Sequence, residues 1–307
     1  MFVRSLSLAC LIVTVANGRT HVQSSPAIPS RWVGARYDRG LIEISVAETG
    51  RPPRSIAAES NPKRLVDSLT VTDVAFDVKR EVVYVGTCCE PGSGQLRRVD
   101  LTATPPALIR DDQGFAVDVA STTSTIARTD AFGTLAMRPS AEARQEVRAG
   151  VGAADVAVDG RDEPRVIALI QTARLRALIP TVPSRPPGML ISRWKAGHWS
   201  DTTFPLRSNS LYCRVVALTN GSVGLLAGEI IAAEPRVCVG ERLDVYHTAT
   251  KELRTGAMKF PGKIRHLSVD DSSTFLIFTT VDGAVGWQTL AGGAGSLARG
   301  GFTAADW

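Results

Sequence analysis

The chain has 307 residues, 44% of them hydrophobic and 21% charged, which is enough to bury a large core and has the balance of an ordinary globular protein. Its net charge of +5 is mild, and its arginines are scattered rather than clustered, which argues against a nucleic-acid surface. Length alone does not choose between one large domain and two smaller ones.

The first residues read as an export signal. Met1 to Arg4 carries one positive charge, Leu6 to Ala16 is an apolar run, and Ala16-Asn17-Gly18 offers small residues to a signal peptidase. Cleavage is expected after Gly18, with Ala16 as the alternative. Cys10 lies inside the apolar run and makes a poor lipid-attachment site. The run is too short to span a bilayer, and no later segment reaches about eighteen consecutive apolar residues, so no transmembrane anchor is expected. The expected organisation is a signal peptide over 1–18, a flexible leader over 19–30 and a single domain over 31–307. Four cysteines then remain, Cys88, Cys89, Cys213 and Cys238, enough for two disulfides in an oxidising compartment and open to three pairings.

A repeat of four short β-rich runs follows. Trp32 to Tyr37, Leu41 to Ala47 and Arg54 to Ala57 have the character of second, third and fourth strands with no first strand before them. The clearest complete unit is Val71 to Asp77, Glu81 to Thr87, Gln95 to Leu101 and Pro106 to Arg110, read as strands a to d. Copies begin at Phe115, Ala154, Cys213 and Ile264, with turn residues such as Asn220-Gly221 between runs. Asn220-Gly221-Ser222 also matches a glycosylation sequon, but the hairpin turn is the better reading. The tail, Phe302 to Trp307, resembles a strand a with nothing after it.

The two ends complement each other. A ring of four-stranded sheets leaves an open seam unless one sheet draws strands from both termini. The expected fold is therefore all-β, a six-bladed β-propeller whose C-terminal strand joins the N-terminal blade. Seven blades would require splitting the Thr172 to Gly188 region.

Thr72-Asp73-Val74-Ala75-Phe76-Asp77 followed by Val82-Val83-Tyr84-Val85 resembles the blades of bacterial extracytoplasmic propellers, the TolB-like, YVTN and WD-repeat-like groups. No blade ends in the Trp-Asp pair of true WD repeats. The resemblance implies a binding or assembly scaffold more often than an enzyme. Likeness to the six-bladed, metal-dependent gluconolactonase type stops at blade count and an acidic ring.

That ring comes from aligning the inner strands, which places Asp73, Asp118, Asp155, Arg214, His266 and Asp306 at one position. Converging carboxylates need a compensating cation, and a hard ion such as Ca²⁺ is one candidate. The alternative is that each aspartate accepts backbone N–H bonds from the neighbouring blade. Nucleophile-elbow, zinc and phosphate-loop motifs are absent.

In a propeller the d–a and b–c connections share one face. This makes a Cys213–Cys238 disulfide sterically reasonable and leaves Cys88 and Cys89 as a vicinal disulfide or as thiols. Cys88, Cys89 and Glu90 fall in one b–c loop. Arg174, Arg176 and Arg185 fall in the long loop from Thr172 to Gly188 on the same face, the expected binding surface. Three readings follow: a non-catalytic scaffold that binds a protein or small ligand through that face, a metal-dependent hydrolase or lactonase using the channel, or a structural envelope component. A monomer is expected.

Overall fold

The computed structural model describes residues 27–38, 41–60, 70–88, 95–178, 181–231 and 237–307. The sequence expectations for the signal, the leader up to residue 26, Cys89 and Glu90 lie outside them. The chain begins with β1 (Arg31–Asp38), β2 (Leu41–Glu48) and β3 (Arg54–Ser60). A four-stranded sheet follows, made of β4 (Thr70–Asp77), β5 (Val82–Cys88), β6 (Gln95–Asp100) and β7 (Leu108–Asp112). The next holds β8 (Ala116–Ala120), β9 (Thr125–Thr129), β10 (Leu135–Arg138) and β11 (Glu146–Arg148). Another holds β12 (Ala153–Asp159), β13 (Arg165–Ile170), β14 (Gly188–Lys195) and β15 (His198–Pro205), with helix α1 (Thr172–Leu178) between β13 and β14.

The remaining strands are β16 (Leu211–Ala217), β17 (Ser222–Ile231), β18 (Val237–His247), β19 (Glu252–Val269), β20 (Phe275–Thr280), β21 (Val285–Thr289), β22 (Ala294–Ala298) and β23 (Ala304–Asp306). The first seven of these form a single sheet, because β19 pairs with β18 along much of its length and then with β20 from Ile264 onward. All pairings among the described residues are antiparallel.

Burial grades across each sheet, and the sequence explains why. The second strand β5 is Val-Val-Tyr-Val-Gly-Thr-Cys and is buried throughout, because neighbouring sheets cover both its faces. The fourth strand β7, Leu-Ile-Arg-Asp-Asp, is almost wholly exposed, so polar side chains suffice there. Between the sheets, Val, Ile and Leu side chains interdigitate. Val33, Ile44, Val74, Phe76, Val83 and Val99 make one such layer, and each large side chain buried there contributes on the order of 1.5–3 kcal/mol.

The C-terminal tail pairs with the first strand. Val33, Gly34 and Ala35 of β1 face Asp306, Ala305 and Ala304 of β23, giving the sheet order β23-β1-β2-β3. Thr303 N–H donates to Ala35 O at 2.8 Å and the Trp307 indole donates to Phe275 O at 3.0 Å. Trp32 and Phe302 meet edge to face with ring centres 5.5 Å apart.

Three expectations need correction. The stretch read as an irregular loop from Thr172 to Gly188 holds α1, pinned by Leu175, which is fully buried against Ala154 and Val182. Cys238, expected at a connection, stands within β18, because that strand begins at Val237 and the β17–β18 hairpin is longer than the sequence suggested. Strands read separately as Lys251 to Ala257 and Ile264 to Asp270 are one continuous run, β19, through Pro261-Gly262. Asn220 and Gly221 adopt φ of 56° and 71°, the left-handed pair a two-residue hairpin turn demands.

Candidate functional site

Each inner strand leaves one backbone edge facing the central axis, so its N–H groups there need acceptors. The aspartates supply them. Asp306 Oδ2 accepts from Phe76 N–H at 2.7 Å, Asp73 Oδ2 from Val117 N–H at 3.1 Å, Asp118 Oδ2 from Val158 N–H at 2.7 Å and Asp155 Oδ2 from Val215 N–H at 2.8 Å. Every one of these bonds runs from one sheet to the next.

A β-bulge sets the aim of the polar side chains. The register shifts between Val71 and Asp73, Ala153 and Asp155, Tyr212 and Arg214, and Ile264 and His266. A bulge at the same place in four inner strands turns the following residue toward the axis.

At the centre the structure brings together Asp73, Asp155, Arg214 and His266. Arg214 Nη1 lies 2.8 Å from Asp73 Oδ2 and 3.0 Å from Asp155 Oδ1, while Nη2 donates to Thr72 O. His266 Nε2 hydrogen-bonds Asp73 Oδ1, and its Nδ1 is buried without a partner. Asp118 lines the same central space but, like Asp306, makes no bond to Arg214 or His266. Asp306 accepts from Ser268 Oγ, and Asp118 accepts from Val119 N–H at 2.9 Å.

The electrostatics follow from burial. Burial pushes Asp73 up, but Arg214 and His266 outweigh it and hold its carboxyl below the ordinary value. Burial, then Arg214, lowers His266, which favours the neutral ring. Burial works against the charge of Arg214, but Asp73 and Asp155 raise its pKa. Burial raises Asp118 well above the ordinary value, with Asp306 adding to it, and burial raises Asp306 to about 7.

Of the two readings of the aligned residues, this geometry is that of aspartates accepting backbone N–H bonds from the neighbouring sheet. The space left among these side chains is about 10 Å³, room for roughly one water. The Arg214 guanidinium occupies the place a Ca²⁺ ion would need, and the carboxylate oxygens around it are committed to it and to backbone amides. The residues do not fit a metal ion. Among the described residues no group of three or more His, Cys, Asp or Glu is arranged to hold one.

The loop face is built differently. Cys213 and Cys238 are joined, with Cα atoms 5.3 Å apart, so the disulfide ties the start of β16 to the β17–β18 hairpin. Cys88 is buried and disulfide-bonded. Arg176 and Arg185 are exposed on this face, and Arg174 has a side chain outside the described residues. Between the hairpin and β19 lies a cavity of about 750 Å³, lined among others by Ser210, Ile230, Glu241, Lys259 and Phe260. Two glycines let the hairpin close at its base. A Cβ on Gly228 would stand 1.8 Å from Val239 O and one on Gly240 2.6 Å from Ala227 O. Sequence reasoning missed this cavity, because the pairing of the two glycines is seen only in the structure.

No protein-family model matches the chain, and no curated protein matches it. Solved structures do. A chain of a nidogen/laminin complex superposes with a TM-score of 0.59 at 12% identity, covering 90% of this chain and 97% of that one. TolB from Acinetobacter baumannii superposes with a TM-score of 0.54 at 9% identity over 85% of this chain, which spans 61% of the TolB chain. At these identities the likeness shows the fold alone: the chain is a β-propeller.

Proposed function

We propose that the protein is an exported, six-bladed propeller that binds a partner, without catalysis, through the face carrying the b–c connections. The blade count takes β19 as two strands in one, the fourth of the fifth blade and the first of the sixth, with β23 completing the first blade. Export rests on the signal-like N-terminus and on the disulfides, which persist in oxidising compartments.

The observation that carries the binding reading is the contrast between the two candidate sites. The axis is filled by a salt-bridged Arg214, whereas the disulfide-fixed hairpin walls an open cavity of about 750 Å³, the size of a ligand or side-chain pocket. A propeller holds such loops rigidly, which lowers the ordering cost of binding.

Cross-linking of the purified protein in an envelope extract tests this. Lys259→Glu and Arg176→Glu, both exposed, should lose the captured partner that the unaltered chain and Arg98→Gln retain. Equal capture by all four proteins would remove the assignment of this face.

A further inference from the structure

At the opposite end of the blades, where the β12–β13 turn meets Thr219–Gly221, lies a cavity of about 660 Å³ with Arg161, Arg165, Arg193 and Lys195 among its lining residues. Two features there are only partly satisfied within the protein. The first is a like-charge pair, since Arg165 on β13 stands directly opposite Arg193 on β14, an arrangement that destabilises a sheet. The second is the state of Arg165. It is only 6% exposed, yet its Nε and Nη2 are buried without a hydrogen-bond acceptor. Nη2 is ion-paired with Asp159 Oδ2 at 3.0 Å, which leaves Nε as the buried donor with no partner at all.

The acids at this site are largely spent. Asp159 accepts two bonds from Arg161, at 2.9 Å each, and Glu163 pairs with Lys195 at 3.2 Å. Arg193 is exposed and has no ion pair among the described residues. Burial lowers the pKa of Arg165, and Arg193 lowers it further against the pull of Asp159. Arg161, Arg165, Arg193 and Lys195 line the cavity with Asp159, Asp162 and Glu163, and Asp270 acts on Arg161 from beside it, so Arg193 is the cation there that pairs with no acid among the described residues.

We infer that this cavity binds the carboxylate group of a small organic acid between Arg165 and Arg193. A guanidinium presents a planar fork that matches two carboxylate oxygens, and one carboxylate supplies the single charge that the unpaired Arg193 lacks, where a phosphate dianion would exceed it. The cavity leaves room for the rest of a ligand of modest size.

The test follows the arginine Nε–H resonances and the melting temperature during titration with sodium propionate, with sodium chloride and inorganic phosphate as parallel arms. Propionate should saturate at millimolar concentration, shift the Arg165 Nε–H signal, and raise the melting temperature. Arg193→Gln should weaken that binding at least tenfold and, by removing the like-charge pair, raise the melting temperature of the free protein. A purely structural Arg193 would lower it instead. Equal effects of chloride, tighter binding of phosphate, or unchanged propionate binding by Arg193→Gln would each overturn the inference. This face is distinct from the hairpin face, so either result leaves the partner-binding proposal standing.

Discussion

Arg214 reaches Asp73, 141 positions earlier in the chain, and Asp155 on a different sheet, so one side chain ties three inner strands together at the axis. Removing it would strand two buried carboxylates. Arg214→Met should therefore cost on the order of 3–5 kcal/mol, read from urea unfolding. A paired Arg214→Met, Asp73→Asn variant should recover part of that loss. If the single variant unfolds at the same urea concentration as the unaltered chain, the cluster does not hold the sheets together.

A second residue-scale expectation concerns Asp306, whose pKa rises from 3.8 to about 7 on folding. A raised acid favours the folded state while it holds its proton. Its contribution is complete below about pH 4 and is lost as the pH climbs through about 7. Asp118 shifts in the same direction and adds to the slope. Asp73, Asp159 and Asp201 are lowered, and their contribution fades only in acid below the ordinary carboxylate range. The melting temperature should fall between pH 5 and pH 8, and Asp306→Asn should flatten that fall. A fall of the same steepness in Asp306→Asn would assign the slope to other groups.

Among elements, the β17–β18 hairpin depends most on one covalent link. Cys213 and Cys238 are 25 positions apart, and closing a loop of that length restricts the unfolded chain by about 3.5 kcal/mol. Replacing both cysteines by serine should lower stability by about that amount. It should also speed hydrogen exchange in Val237–His247 more than in β4 or β5. Uniform exchange across all sheets would show that the bridge stabilises the whole fold without steadying the hairpin.

The strand repeat was legible because alternation and turn residues mark it locally, as at Val71 to Asp77 and Asn220-Gly221. Helix α1 was not, since its 7 residues make about two turns, shorter than the window over which a helical period separates from a loop. The position of the axial residues could be read from aligned strands. Their orientation could not, because it depends on bulges that skip Thr72, Ala154, Cys213 and Arg265, and on an arginine reaching another sheet. The hairpin cavity stayed hidden for a similar reason. Gly228 and Gly240 signal close backbone contact only once they are known to face each other.

At the scale of the molecule, the last strand shields the first. Without β23, the amides and carbonyls of Val33 to Ala35 and the buried faces of Trp32 and Phe275 would meet solvent. Deletion of residues 302–307 should therefore yield a chain that self-associates through the bare β1 edge, seen as dimers or larger species by light scattering. A truncated chain that stays monomeric and melts at the original temperature would show that the seam needs no cover.

The undivided strand β19 has a mechanical consequence. Glu252 to Val269 is a single strand that pairs with β18 and, past a break in register between Lys259 and Ile264, with β20, so one run of backbone belongs to both halves of the seven-stranded sheet. On the proposed six-blade count, a tilt of one of these two blades would drag the other through that shared backbone, and a guest at the gap beside the hairpin would meet two walls that shift together.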